Sequence, residues 1–252
     1  MHKIAATPGG WNPEEEGVIF IEQTPAPIIF LTSADNEIQT LSIALQDLPD
    51  DFAAVRVVNL LNLQQQLTID TYVEDVLVKA KVIVLRMLGG ITYWSYGLER
   101  VKEIARINNG ALIVLPGDDT PDPDLISHST IDLSIVNNLW RYFIEGGVNN
   151  YLNSLQFVSD HFLKTNYNPE PPKTIPRLGI YTPHLQQIEL KNTKKNTLAI
   201  IFYRSHYLSG NTLPIDALCE ALLRKSLNPL PCLLYTSPSP RDLSTSRMPS
   251  SA

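Results

Sequence analysis

The segment Lys81–Asp119 constrains the fold more than any other part of the chain. It begins with the apolar run Val82–Leu88, in which Arg86 is the one polar residue, as is typical of a parallel strand covered on both faces. Gly89–Gly90 ends this run, and an amphipathic helical pattern follows before a second apolar run, Leu112–Leu115. This order predicts a βαβ unit, whose ligand-binding loops lie at the carboxyl ends of its strands.

The alternation of strands and helices continues on both sides of this unit. Ile28–Leu31 and Val55–Leu60 predict two further strands, and Leu133–Glu145 and Val148–Leu163 predict two successive amphipathic helices. The predicted fold class is therefore α/β. Residues 1–168 are expected to form a flavodoxin-like or Rossmann-like domain with a parallel sheet.

A proline-rich linker is predicted at residues 169–177, where rigid extended backbone replaces the periodic pattern. Residues 178–231 then restart the alternation, with strands expected at Leu178–Tyr181 and Leu198–Phe202 and a helix at Leu213–Ser226. They are interpreted as the truncated start of a second α/β domain, whose next parallel strand is expected to be missing.

The last residues, Cys232–Ala252, are interpreted as an artefactual or disordered tail. Cys232–Asp242 back-translates to a string that resembles a transposase-type sequencing adaptor, and Ser246–Ala252 fits a flow-cell primer that would follow an index. A natural disordered tail rich in serine and proline is the alternative. This segment is left out of the fold prediction, because residues foreign to the natural protein carry no information about its fold.

Composition and charge limit the classes of partner. The net charge is −6 and no stripe of Lys or Arg occurs, which argues against nucleic acid or an anionic membrane as the main partner. The apolar runs are no longer than strands, so no membrane span is expected, and the N-terminus lacks the apolar core of a secretory signal. Cys219 is the one thiol outside the tail, consistent with a reducing compartment. A soluble cytoplasmic protein is predicted.

Candidate substrate contacts cluster after the apolar strand Val82–Leu88. Gly89 and Gly90 either form a tight turn or offer helix N-terminal amides to a phosphate or carboxylate. Arg86 lies in a run built for burial and must find an anion, either an internal Asp or Glu or an external carboxylate. Tyr93 and Trp94 either stack on a flat macrocycle or pack as ordinary core residues.

A second group of candidate contacts follows the predicted strand Leu198–Phe202. Arg204, Ser205 and His206 precede a Gly-Asn pair and are expected at the ligand-bearing end of the second sheet. They either grip a carboxylate or amide edge of a ligand or form a structural loop.

Catalytic and metal-binding patterns are absent from the sequence. The Gly pair belongs to neither a dinucleotide fingerprint nor a P-loop, and no histidine is spaced from another His, Cys or Glu as in a zinc or cobalt site. The aspartates of the loop after Leu112–Leu115 are separated by prolines and are interpreted as turn and cap residues. No catalytic residue and no metal ligand is predicted, and no cofactor is expected to bind here.

Several motifs follow one another in a fixed order along the chain. They are Arg86-x-x-Gly89-Gly90, Tyr93-Trp94, Tyr96-Gly97, Leu115-Pro116-Gly117-Asp118-Asp119, His128-Ser129-Thr130, Trp140-Arg141-Tyr142, Glu145-Gly146-Gly147, Phe202–Tyr207 and Gly210-Asn211-Thr212. Together these motifs resemble the large subunit of cobaltochelatase, the CobN type. The resemblance covers about the first nine-tenths of the chain, and it implies an N-terminal fragment of such a subunit.

This resemblance implies a tetrapyrrole-binding subunit of a metal chelatase. In that family Co²⁺ is inserted into hydrogenobyrinic acid a,c-diamide, and ATP with Mg²⁺ is hydrolysed by an AAA+-type ATPase subunit that works with an adaptor subunit. The family's metal-insertion region lies downstream, so no catalytic residue is transferred to this chain and the fragment alone is expected to be inactive. The alternatives are the magnesium chelatase large subunit, which acts on protoporphyrin IX, and a non-catalytic flavodoxin-like binding module.

Overall fold

The computed structural model describes residues 19–182 and 196–234. The chain forms two compact units that divide between Lys173 and Thr174, inside the predicted proline-rich linker. Each unit has its own sheet. None of the helices in the described ranges is both long and apolar enough to cross a bilayer.

The first unit is built on a four-stranded parallel sheet. Its strands are β1 (Ile28–Thr32), β2 (Val55–Asn59), β3 (Val82–Met87) and β4 (Ala111–Pro116), in the order β2-β1-β3-β4. Every residue of β1 and β3 is buried, which explains why the sequence of β3 shows no polar alternation. The predicted α/β class and the central βαβ unit are confirmed.

Helices cover both faces of this sheet. They are α1 (Asp35–Gln46), α2 (Gln66–Asp75), α3 (Ser95–Ile107), α4 (Pro123–Ile126), α5 (Leu133–Glu145) and α6 (Val148–Leu163). Apolar residues of α2 and α3 pack on one face, and those of α1, α5 and α6 pack on the other. The first unit is therefore doubly wound, and its strand order is that of the flavodoxin-like class.

The outer edge of β4 is closed by two hydroxyl side chains. Ser129 Oγ accepts a hydrogen bond from the Val114 amide at 2.9 Å, and Thr130 Oγ1 accepts one from the Leu112 amide at 2.9 Å. The Thr130 amide in turn donates to the Leu112 carbonyl. The side chains satisfy the edge amides that another strand would otherwise pair.

The second unit contains a three-stranded sheet in the order β5-β7-β6. Its strands are β5 (Leu178–Ile180), β6 (Thr197–Tyr203) and β7 (Asn228–Leu234), and its helices are α7 (Arg204–Leu208) and α8 (Leu213–Arg224). Strands β6 and β7 are parallel and are joined through α8, whereas β5 is antiparallel to β7. The alternation of strand and helix that the sequence predicts here is present.

Strand β7 corrects two expectations about the end of the chain. The strand expected to be missing after Pro231 is present, and it continues through Cys232, Leu233 and Leu234 as the central strand of the sheet. Leu233 is buried against Phe202, so these three residues are not a tail without core contacts. Cys232–Leu234 pair in register with β6, and the burial of Leu233 favours a strand here although the sequence that follows is rich in Ser and Pro. The rest of the predicted tail, 235–252, lies outside the described residues.

Candidate functional site

The carboxyl ends of β1 and β3 form the topological switch point of the first sheet. The chain leaves β1 through α1 toward β2 on one side, and it leaves β3 through α3 toward β4 on the other. In doubly wound sheets the loops separate at such a point, and ligands bind in the crevice between them. The predicted contacts that follow β3 lie here.

Arg86 lies at this edge and pairs with a carboxylate inside the protein. Its Nη1 is 2.5 Å from Glu37 Oε1, an ion pair by distance without the N–H direction of a hydrogen bond. Nη2 donates to the Pro116 carbonyl at 3.2 Å, and the guanidinium carbon lies 4.7 Å from the centroid of the Phe143 ring. Arg86 is 3 % exposed. Of the two partners left open by the sequence, the structure contains the internal one.

The Arg86–Glu37 pair is buried, and polar side chains surround it. Thr32 Oγ1 donates to the second carboxylate oxygen of Glu37 at 2.5 Å, and the Tyr151 hydroxyl adjoins the Arg86 guanidinium. Burial raises the pKa of Tyr151 far above its usual range, and the nearby Glu37 carboxylate adds to this rise. The hydroxyl is therefore neutral, and the cluster combines one buried cation with one buried anion.

Glu37 and Tyr151 were not among the residues predicted from the sequence. Glu37 lies in the first turn of α1, where acidic residues are common at the helix N-terminus, so its type carries no special signal. Its contact with Arg86 joins residues far apart in the chain. Only the adjacency of β1 and β3 brings the first turn of α1 to the end of β3.

Gly89 and Gly90 form the turn after β3. Their φ values are +93° and +81°, which favour glycine over residues with a Cβ. A Cβ at Gly90 would meet no atom within 4 Å, whereas one at Gly89 would meet Tyr93 Cβ at 3.8 Å. The turn is thus required by backbone conformation, and it leaves open space beside Gly90.

Trp94 and Tyr93 differ in their exposure. The Trp94 indole is buried, and its Nε1 donates to the Leu63 carbonyl at 2.6 Å. Its ring lies so close to Gly97 that a Cβ there would be 2.1 Å from Trp94 Cε2. Trp94 is therefore an ordinary core residue, and stacking on a macrocycle would require it to leave the core. Tyr93 is half-buried, and burial raises the pKa of its hydroxyl.

In the second unit the three predicted contacts are the first three residues of α7, directly after β6. Arg204 is buried, with Nε donating to the Pro176 carbonyl at 3.2 Å and Nη2 donating to the Ile175 carbonyl at 2.9 Å. Ser205 is exposed and His206 is half-buried. Arg204 thus holds the backbone that precedes β5, while Ser205 and His206 remain accessible.

The described residues contain no group of three or more His, Cys, Asp or Glu side chains that could hold a metal ion. In the aspartate-containing loop after β4, Asp122 caps α4 by accepting a hydrogen bond from the Leu125 amide, and Asp118 accepts one from the Thr120 amide. These contacts agree with the turn and cap roles that the sequence predicts.

Comparison with known proteins places the chain among chelatase subunits. A family model described as CobN/Magnesium Chelatase matches residues 140–249. The chain is 34% identical over 241 residues to the aerobic cobaltochelatase subunit CobN of Pseudomonas aeruginosa, covering 93% of this chain and 19% of that protein. It is 33% identical over 245 residues to the subunit of the same name from Sinorhizobium sp, covering 92% and 19%.

A solved structure shares the fold. The catalytic subunit of cobaltochelatase from Mycobacterium tuberculosis matches with a TM-score of 0.65 and 24% identity, over 86% of this chain and 17% of that one. The chain spans about a fifth of the length of the curated relatives it matches. The family model and the curated relatives show that the chain belongs to the CobN/Magnesium Chelatase family.

Proposed function

We propose that the chain is part of the large, tetrapyrrole-binding subunit of an ATP-dependent cobaltochelatase. The observation that carries this proposal is the 34% identity to the CobN subunit of Pseudomonas aeruginosa over 93% of the chain. The reaction is the insertion of Co²⁺ into hydrogenobyrinic acid a,c-diamide in cobalamin biosynthesis, a ligase reaction that forms nitrogen–metal bonds. Co²⁺ is a substrate, and the complex works in the cytoplasm.

ATP and Mg²⁺ are used by the partner subunits, an AAA+-type ATPase and its adaptor. This division follows from the family resemblance, and the sequence of this chain contains no P-loop of its own. The contribution of this part of the subunit is then to hold the tetrapyrrole edge or to dock the partners.

The accessible predicted contacts are the best placed to meet the tetrapyrrole. Gly89 and Gly90 form a turn with open space beside Gly90, and Ser205 and His206 lie at the surface of the second unit. Arg86 and Arg204 use guanidinium donors on internal acceptors. In this proposal they stabilise the folded units and do not bind the tetrapyrrole, because a buried guanidinium that keeps its internal partner adds no new bond to a ligand.

Two alternatives lead to different substrates. The family model also covers magnesium chelatase, whose large subunit would act on Mg²⁺ and protoporphyrin IX. The names of the two curated relatives favour cobalt. A non-catalytic flavodoxin-like binding module would require tight binding of a small anion by the chain in the absence of any partner.

Two chimeras that carry the same segment of this chain test the proposal. Residues 19–234 replace the matching fifth of the Pseudomonas aeruginosa CobN subunit in one chimera and the corresponding part of a magnesium chelatase large subunit in another. Each is assayed with its own ATPase partners, ATP, metal and macrocycle by the absorbance change of metal insertion. We expect activity in the cobalt scaffold and little in the magnesium scaffold. Activity in the magnesium scaffold alone, or none in two folded chimeras, would overturn the proposal.

A further inference from the structure

Within residues 19–182 and 196–234, no layer packs on one face of the sheet in the second unit. Directly paired residues of neighbouring strands point to the same side of a sheet. Ile180, Cys232 and Ile201 are paired in this way, and so are Leu178, Leu234 and Tyr203. With Ala199 and Leu230, which are paired beside them, these residues form what we term the open face.

The open face is apolar and accessible to solvent. Ile201 is 71 % exposed, Leu178 67 %, and Tyr203 and Ile180 59 % each. The three strands of this sheet contain no charged residue. Exposure of such a face to water is unfavourable, because burying apolar surface stabilises a protein by about 25 cal/mol for each square ångström removed from water.

The opposite face of the same sheet is covered. Phe202 and Leu233, which are paired with each other, point to that side and pack with Ile215 and Cys219 of α8. The crossover from β6 to β7 therefore supplies a layer on one side only. All-parallel sheets occur almost only with both faces covered, and the two longer strands of this sheet, β6 and β7, are parallel, whereas the short β5 is antiparallel.

We infer that the open face is an interior surface that a helix of the same polypeptide covers in the longer chelatase subunit, an inference that rests on the proposed function. The three strands lie about 4.8 Å apart, and β6 and β7 are seven residues long whereas β5 has three, so the face measures at most roughly 14 by 23 Å, or roughly 300 Å². A helix of about 15 residues has this length, and its diameter of about 10–12 Å with side chains covers most of this width.

The size and chemistry of the open face favour a covering segment in the same chain over a separate partner. A stable interface between two proteins buries about 800 Å² on each partner, more than this face offers. A covalently attached segment avoids most of the loss of translational freedom that a separate partner must overcome. The lack of basic residues on the three strands also disfavours an anionic membrane surface.

The relatives provide the additional polypeptide that this inference needs. The chain covers 19% of each of the two CobN subunits, and the family model matches residues 140–249, a range that includes β6 and β7. The described chain itself contributes α8 to the opposite face and nothing to the open face.

Thiol labelling tests the inference. Cysteine is introduced at Ile201 in the 252-residue chain and in the chimera with the Pseudomonas aeruginosa subunit, with Cys232→Ser in both, and labelling by N-ethylmaleimide is followed at this residue by mass spectrometry. Ile201→Cys should react at least about tenfold more slowly in the chimera, because labelling then requires local opening of the cover. Lys225→Cys, at the exposed end of α8, is the control and should react equally in both. Equal reactivity of Ile201→Cys in both proteins would overturn the inference.

A measurement on the 252-residue chain alone does not depend on the folding of a chimera. Ile201→Lys should leave the Tm unchanged and should reduce the binding of a hydrophobic dye, whereas Phe202→Lys, on the covered face, should unfold the second unit. A loss of Tm for Ile201→Lys as large as that for Phe202→Lys would show that the face is already packed. Concentration-dependent dimers that Ile201→Lys abolishes would identify a second copy as the occupant and overturn the inference.

The two proposals fail in distinguishable ways. A chimera that inserts Co²⁺ while Ile201→Cys remains reactive retains the proposed function and refutes the covered face. A folded chimera that protects Ile201→Cys without chelatase activity does the reverse.

Discussion

Arg86 shows how a residue that looks functional in the sequence is explained by an internal partner. A guanidinium in an otherwise apolar strand needs an anion, and the structure provides Glu37 at 2.5 Å together with the Pro116 carbonyl. The pair connects the start of α1 to the end of β3. It therefore stabilises the loops of the switch point without reaching the open space beside Gly90.

We expect Arg86→Gln to destabilise the first unit by about 3–5 kcal/mol, because Glu37 is left as a buried charge without a cation. Tetrapyrrole affinity of the folded full subunit should not change. Chemical denaturation and ligand titration measure the two quantities, and the exposed Arg106→Gln is the matched control. The double substitution Glu37→Gln with Arg86→Gln should recover part of the loss, since neither charge is then unpaired. Lost affinity with unchanged stability would instead make Arg86 a direct ligand.

The buried Tyr151 hydroxyl predicts a loss of stability at alkaline pH. The pKa of Tyr151 is raised in the folded protein by burial, so an unfolded chain releases this proton first, near pH 10. The contribution to stability is complete below about pH 10 and decreases as the pH rises above it. Urea denaturation at several pH values should show a shallower alkaline decline for Tyr151→Phe than for the wild type, whereas the exposed Tyr203→Phe should match the wild type. Identical slopes in all three proteins would contradict this.

We expect the substitution Gly97→Ala to destabilise the protein. In an open helix this substitution would stabilise by about 1 kcal/mol. Here the new Cβ would lie 2.1 Å from Trp94 Cε2, and overpacking of a core costs about 1–3 kcal/mol. Gly97→Ala should therefore lower the Tm and alter Trp fluorescence, and adding Trp94→Leu should remove this sensitivity. A higher Tm for Gly97→Ala alone would show that the indole is not held against the helix.

At the scale of elements, the proline-rich segment is fastened to the first unit over part of its length. The Asn150 side chain bonds the Lys173 backbone twice, as donor to the carbonyl at 2.8 Å and as acceptor from the amide at 2.9 Å. Tyr142 donates to the Glu170 carbonyl, and Asn153 accepts from the Glu170 amide. Residues 170–173 thus follow α5 and α6 along a defined path, whereas composition alone predicted a linker.

We expect Asn150→Leu to release this segment. Loss of the side-chain amide leaves the Lys173 amide without its acceptor, so its hydrogen exchange should accelerate, and each lost bond costs about 0.5–1.5 kcal/mol. Hydrogen exchange by NMR measures this at single residues. Asn149→Leu, one position earlier on α6, serves as control because it lacks a side-chain bond to the segment in the described structure. Unchanged exchange at Lys173 would show that the prolines alone hold the path.

At the scale of the whole molecule, the chain carries two α/β units, its sequence contains no P-loop, and its described residues contain no group of three or more His, Cys, Asp or Glu side chains that could hold a metal ion. We expect the 252-residue chain alone neither to hydrolyse ATP nor to insert Co²⁺. A coupled phosphate-release assay and the absorbance spectrum of hydrogenobyrinic acid a,c-diamide with Co²⁺ check both activities, with the reconstituted cobalt-scaffold chimera as the positive control. Any spectral change catalysed by the chain alone would place a metal-insertion site within it.

The sequence by itself determined the local elements and the fold class. An unbroken apolar run predicted the buried β3, glycines predicted the turn after it, and helical periodicity predicted α3, because each depends on neighbours within a few positions. The ordered motifs also indicated the family, which the comparisons confirm.

Only the tertiary structure decided which residues meet. Glu37 reaches Arg86 because β1 and β3 are adjacent, and Trp94 is held against Gly97 by core packing, neither of which a pattern along the chain specifies. Ser129 and Thr130, part of a motif that carries the family resemblance, close the edge of β4. Cys232–Leu234 joined β7 because pairing with β6 buries Leu233, a long-range gain that local composition does not show.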